Sequence, residues 1–171
     1  MSKFWGVFLM PLITLGMLAL FIVLPSIDPL KANIAQFRES FNLFIVLIVA
    51  FMLYVHGLTL AWSLGFSNFK MSAAMLPFMG VLFIAIGFML RKAKRNFFIG
   101  IRTPWTLSSD NVWDKTHQIG SILFMASGAL AIIGGFFGGM TAFWLMFAPL
   151  IGSSLFLVIY SYVLYRGETK S

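Results

Sequence analysis

His56, Thr59 and Ser63 are polar side chains at i, i+3 and i+7 of a long apolar run, so a helix would carry them on one face. If that helix crosses a membrane, its histidine is a candidate ligand or proton site, because ionisable groups inside spans are commonly functional. The alternative is a structural stripe that hydrogen-bonds a neighbouring helix, and a neutral imidazole is cheaper to bury than a carboxylate. Both interpretations remain open, and we favour the structural one.

Asp110, Asp114 and His117 form a second set, at i, i+4 and i+7, that could share a helix face and act in acid–base chemistry. Acids also suit the N-terminus of an ordinary solvated helix. The sequence has no cysteine and contains neither H-E-x-x-H nor G-x-S-x-G. We therefore predict no enzymatic activity, no metal site and no cofactor.

The segment 91–117 concentrates much of the remaining polarity. It opens with the basic cluster Arg91-Lys92-Ala93-Lys94-Arg95, which we interpret as a topology anchor that touches anionic lipid head groups. Gly100 permits a turn, and Pro104 moves the residue before it out of the helical region. The segment is thus expected to be a structured loop at the membrane surface.

A helix is predicted to follow this turn, capped by Ser108 or Ser109 and running into the next apolar stretch. Trp113 and His117 would lie one turn apart on it. Trp105 and Trp113 are placed as interfacial aromatics would be. A polar cluster near the membrane surface is predicted from Asn96, Arg102, Thr103, Thr106 and His117.

The composition identifies the solvent that these elements must meet. Of 171 residues, 60% are hydrophobic and only 10% are charged, and the mean hydropathy is +0.96. A lipid bilayer fits this composition, and a soluble domain does not. Basic cytoplasmic loops account for the net charge of +7, so we predict no direct contact with nucleic acid.

Apolar runs predict an all-α, polytopic membrane bundle of about five transmembrane helices in a single domain, residues 1–171. The first run is too long for a signal peptide and is read as a retained span. The stretch from Gln118 to Tyr165 has no charge and is long enough for two spans, with a turn near Gly138-Gly139-Met140-Thr141. The predicted spans are 4–25, 41–66, 71–90, 118–138 and 142–164.

Basic residues are distributed unevenly about these spans. Lys3 and Lys70 fall on one side, and ten of the twelve bases fall on the other, together with all five acids. The positive-inside rule then predicts an external N-terminus, a cytoplasmic C-terminus and a cytoplasmic loop 91–117. The ten bases are Lys31, Arg38, Arg91, Lys92, Lys94, Arg95, Arg102, Lys115, Arg166 and Lys170.

Two further patterns concern packing. Asp28 and Pro29 can begin a short interfacial helix, whose apolar face would hold Leu30, Ile34, Phe37 and Phe41. In span four, small residues recur at four-residue spacing and predict close contact with another span, or with a second copy of the chain. These small residues are Ser127, Ala131, Gly135 and Gly139.

The run Asn96-x3-Gly100-Ile101-Arg102-Thr103-Pro104-Trp105-Thr106-Leu107-x-Ser109-x3-Trp113-x3-His117 closely resembles the signature of the SdpI family of bacterial membrane proteins. The stretch Leu24-Pro25-Ser26-Ile27-Asp28-Pro29, followed by Lys31, Asn33 and Phe37, resembles the segment that precedes it in that family. Together the two cover most of residues 11–130. Larger members have an additional N-terminal multi-span region that is not seen here, so the sequence looks like a short member.

The resemblance implies a multi-pass protein of the bacterial plasma membrane that protects a cell from a secreted toxic peptide. It also implies signalling, in which the membrane protein holds a soluble repressor at the membrane once toxin is sensed. The signature residues would then serve binding. The alternative is a small transporter or channel subunit, with the His56 stripe and the fourth span lining a path, although no span contains an acid.

Overall fold

The computed structural model describes residues 3–66 and 68–169, and the regular structure of these ranges is entirely helical. Lys170, one of the bases counted above, lies outside the described residues. The helices within these ranges are α1 (Lys3–Ile27), α2 (Lys31–Ala35), α3 (Arg38–Ser63), α4 (Met71–Lys92), α5 (Pro104–Ser108), α6 (Asp110–Phe137) and α7 (Gly139–Glu168).

Five of these helices, α1, α3, α4, α6 and α7, are long and apolar enough to cross a membrane. The shortest of them, α4, has 22 residues, which at about 1.5 Å per residue exceeds the roughly 30 Å bilayer core. The predicted fold class is confirmed, and the chain is a multi-pass membrane protein in contact with the lipid bilayer. Much of the 91–117 segment is itself helical, because α4 runs on to Lys92 and α6 already begins at Asp110.

The tightest helix packing is between α4 and α6. A Cβ atom added to Gly80 would lie 2.5 Å from the carbonyl oxygen of Gly128, and one added to Gly128 would lie 2.5 Å from that of Gly80. Backbone contact of this kind needs glycine on both helices, as is common where membrane helices cross closely. Helix α7 also packs on α6, where Ala142 and Met146 join Ala131 and the α4 residue Leu76 in one apolar cluster.

The small-residue face predicted for span four is largely occupied within the chain. Ser127 and Ala131 are buried, and the backbone of Gly135 approaches the Pro77 ring. Gly139 does not belong to this face, because it begins α7 and a Cβ atom added to it would have no contact within 4 Å. The turn falls at Gly138 and Gly139, with φ of 70° and 58°, in the predicted region.

The link between α1 and α3 differs from the predicted interfacial helix. Helix α2 has only five residues, and its N-cap is Leu30, without a side-chain cap, rather than Asp28. The apolar face is real, but Ile34, Phe37 and Phe41 are at most 2% exposed. They pack with Met89 and Trp113 in one core cluster, so this face meets protein rather than lipid.

Candidate functional site

Asn96 organises the turn that follows α4, and its side chain is completely buried. Its Oδ1 accepts hydrogen bonds from the backbone N–H groups of Phe98 (3.0 Å) and Ile99 (2.6 Å). Its Nδ2 donates to the carbonyl oxygens of Lys94 (2.8 Å) and Ile99 (2.9 Å). Both donors and both acceptor positions of the amide are used, so only asparagine has the groups that this turn requires.

Gly100 lets the chain pass closely over the His117 ring. Its φ of +118° suits glycine, and an added Cβ would lie 2.5 Å from the His117 Nε2. The neighbouring Ile101 N–H donates to that Nε2 at 2.9 Å. Because Nε2 accepts, the proton of the neutral ring lies on Nδ1, which donates to the Trp113 carbonyl oxygen at 2.8 Å.

Trp113 closes the inner side of this arrangement. Its ring stacks on the imidazole of His117, with centroids 4.0 Å apart and an angle of 17°. Its indole N–H donates to the Ala93 carbonyl oxygen at 2.9 Å. Neither Trp113 nor His117 is more than 1% exposed, so the prediction of an interfacial role for Trp113 was wrong. The indole is a core side chain that joins the end of α4 to α6.

Thr103 and Thr106 form a reciprocal cap on α5. The Thr106 hydroxyl accepts from the Thr103 N–H at 2.9 Å, and the Thr103 hydroxyl accepts from the Thr106 N–H at 3.2 Å. Pro104 occupies the first helical position, where its missing N–H costs nothing. The Thr103 hydroxyl also lies 3.1 Å from that of Ser161, which ties the segment to α7.

Two side chains from the α1–α3 link hold the segment in place, and the sequence analysis missed both contacts. Asp28 is 2% exposed and accepts hydrogen bonds from the N–H groups of Leu30 (2.6 Å) and Phe97 (2.8 Å). Asn33 donates to the Arg95 carbonyl oxygen at 2.8 Å. The only hint in the sequence was an acid in an apolar stretch between two prolines, which reads equally well as a helix cap.

Arg102 differs from the other four residues of the predicted polar cluster because it is exposed and they are buried. It donates from Nη1 to the Phe97 carbonyl oxygen, a single bond for a guanidinium that carries five N–H donors. Trp105 is half-buried, with its ring 5.0 Å from that of Tyr162. The predicted polar cluster therefore divides into a buried frame and an exposed arginine. We define the buried frame as Asn96, Thr103, Thr106, Trp113 and His117.

The acids near His117 do not join it in a site. Asp110 lies 2.7 Å from the Arg95 Nε, and Asp114 lies 3.4 Å from the Lys94 Nζ, whereas His117 is turned inward. Among the residues that the structure describes, no group of three potential metal ligands comes together. The Ser109 hydroxyl accepts a hydrogen bond from the Val112 N–H, so Ser109 caps α6. It is one of the two serines that were predicted as candidates for this cap.

The His56 stripe lies apart from the signature segment. The hydroxyls of Thr59 and Ser63 are exposed and donate to the carbonyl oxygens of Val55 and Thr59 in their own helix. The predicted bonds from this stripe to a neighbouring helix were therefore wrong for both hydroxyls. The hydrogen bond between α3 and α4 comes instead from Tyr54, which donates to the Ala74 carbonyl oxygen at 3.0 Å.

Comparison with known proteins bears on this frame directly. The SdpI/YfhL protein family model matches residues 92–161, which include the whole frame. Residues 92–161, which carry the signature, therefore match this family. It is also 27% identical over 167 residues to the immunity protein SdpI of Bacillus subtilis (strain 168), a match that covers 96% of this chain and 77% of that protein. No solved structure matches the chain.

The match to the SdpI/YfhL family model agrees with the arrangement around the signature. The matched residues begin at Lys92, where α4 ends, and they extend to Ser161, the α7 residue that contacts Thr103. The match therefore covers α5, α6 and most of α7 as one packed unit. The link between α1 and α3, which supplies Asp28 and Asn33, lies outside the family model but inside the match to the relative.

Proposed function

We propose that the chain is an immunity protein that protects a bacterial cell from a secreted toxic peptide. The observation that supports this best is the similarity to an immunity protein over nearly the whole chain, centred on a signature that the structure shows as a built unit. Fold alone would not carry the proposal, because helical membrane bundles serve many functions.

In this proposal the two parts of the signature have different roles. The buried frame holds the segment in one conformation, and it meets a partner only if the segment opens. Arg102, Pro104 and the half-buried Trp105 are signature side chains that a peptide or protein can reach without such opening. An exposed guanidinium pairs well with a carboxylate, and an aromatic ring beside it adds apolar area.

The proposal places the segment on the cytoplasmic side, with the N-terminus outside. The exposed bases at the end of α4, including Arg91 and Lys92, would then also lie on the cytoplasmic side, in agreement with the positive-inside rule. A soluble repressor with an acidic patch could then be held there by charge complementarity. Peptide recognition itself would occur within the bilayer, on the exposed apolar faces of the spans.

Survival assays test immunity. Cells that make a secreted peptide encoded beside the gene should survive with the wild-type chain, and Arg102→Ala should reduce survival while membrane levels of the protein remain unchanged. Arg38→Ala is the matched control, since it removes an exposed arginine that lies outside the family match and away from the end of α4. Undiminished killing in cells shown to contain the wild-type protein would remove the proposal. Equal loss with both variants would remove the role of Arg102.

A further inference from the structure

A groove of about 390 Å³ opens between α3 and α4, at the end of the bundle that carries the signature segment. On α3 it is lined by a stripe from Ser40 to Leu47 at i, i+3, i+4 and i+7. On α4 a matching stripe begins at Val81 and continues to Lys92. Each helix thus presents one continuous face to the groove.

The groove is a fixed feature because the two helices are held together around it. Towards the far end of the groove, Tyr54 stacks on Phe78 with ring centroids 5.4 Å apart. The Tyr54 hydroxyl also donates a hydrogen bond to the Ala74 carbonyl oxygen of α4. On the inner side, Ile45 and Met89 belong to one buried core cluster. The helices therefore remain together at both places, and the space between them stays open to the surrounding lipid.

The dimensions of the groove match one leaflet of a bilayer. The α3 stripe covers seven residues of helical rise, about 10 Å, and the α4 stripe covers eleven, about 16 Å. Half of a hydrocarbon core is about 15 Å thick. A groove of this length, starting at the helix ends, reaches from the head-group level towards the middle of the membrane.

The charge of the groove is confined to that outer end. Lys92 is the one charged residue of its lining, it is exposed, and it takes no part in the ion pairs found among residues 3–66 and 68–169. Ser40, in the first turn of α3, lines the same groove and carries a hydroxyl that can donate a hydrogen bond. The rest of the lining is apolar. This combination is complementary to one phosphate joined to one acyl chain.

We propose that this groove binds an anionic phospholipid of the adjacent leaflet, with the acyl chain between α3 and α4 and the phosphate at Lys92 and Ser40. The site does not depend on the immunity role. A bound lipid would contact Met89, which lines the groove and packs in the same core cluster as Trp113.

The test compares lipids by native mass spectrometry of the detergent-solubilised protein, with phosphatidylglycerol or phosphatidylcholine added at equal mole fraction. The wild-type protein should retain phosphatidylglycerol preferentially. Lys92→Gln should reduce that retention roughly fivefold, since one basic residue at an anionic surface contributes about that factor. Arg91→Gln is the matched control: it removes the same charge one residue away, outside the groove lining. Equal losses in both variants, or none in Lys92→Gln, would overturn the site.

A second variant tests the apolar part. Ala85→Phe should fill the groove and reduce retention of both lipids while the protein remains folded by circular dichroism, and unchanged retention would overturn the acyl-chain position. The chain has no cysteine, so Leu43→Cys places one thiol at the groove. Efficient formation of disulfide-linked dimers by this variant in membranes would show that a second copy of the chain occupies the groove. Displacement of phosphatidylglycerol by the toxic peptide would show that the groove binds the peptide. Either result would overturn the proposal.

Discussion

Replacing Asn96 by alanine should destabilise the protein more than any other loss of a single amide. Alanine removes the bonds to both backbone groups of Ile99, and both bonds are buried. An unsatisfied buried backbone group costs about 1–3 kcal/mol, so the two together should lower the free energy of unfolding by about 2–6 kcal/mol. The bonds to Lys94 and Phe98 are partly buried, and water can replace them at little cost.

Unfolding by sodium dodecyl sulfate in mixed micelles, followed by circular dichroism, measures this difference. Gln118→Ala is the matched control, because it removes an exposed amide from the nearby α6. That control should change the free energy of unfolding by less than about 0.5 kcal/mol. If Asn96→Ala were as stable as Gln118→Ala, the buried turn described here would not exist in the membrane protein.

The remaining predictions concern other contacts and use the same unfolding assay. Gly100→Ala should cost about 2 kcal/mol or more, from its positive φ and from the close imidazole, whereas Gly152→Ala, which has open space, should not destabilise the protein. Gly128→Ala should cost about 1–3 kcal/mol because its Cβ would push α4 away, and equality with Gly152→Ala would contradict the close helix contact. Asp28→Asn should cost about 1–3 kcal/mol, since an amide has one oxygen for the two N–H groups that the carboxylate satisfies. Glu39→Gln, at an exposed position, should leave the free energy of unfolding nearly unchanged. An equally small effect of Asp28→Asn would show that the Asp28 carboxylate does not join Leu30 to Phe97.

Much of the fold could be predicted because it depends on local chemistry. The length of the apolar runs predicted five long helices, and Gly138 marked the last turn, since a glycine-rich break is the simplest way to reverse an uncharged stretch. Ser109 was one of two candidate caps, and the structure shows that its hydroxyl oxygen accepts a hydrogen bond from the Val112 N–H at the start of α6. These features need only neighbouring residues.

The arrangement of the site could not be predicted in the same way, because it depends on distant parts of the chain. Trp113 resembled an interfacial aromatic, and it is a core residue because the end of α4 and the link between α1 and α3 both pack against it. The Asp28 carboxylate crosses 69 positions to reach Phe97. No periodicity encodes such contacts. The same holds for the groove between α3 and α4, which requires two helices to be placed side by side.

The membrane orientation of the signature segment is the claim on which the proposed function most depends. The absence of cysteine allows single thiols at Ser108, exposed beside the signature, and at Phe66, which is 68% exposed at the opposite end of the bundle. With a membrane-impermeant maleimide, Phe66→Cys should react in intact cells, and Ser108→Cys should react only after the cells are opened. Labelling of Ser108→Cys in intact cells, with Phe66→Cys protected, would contradict the account.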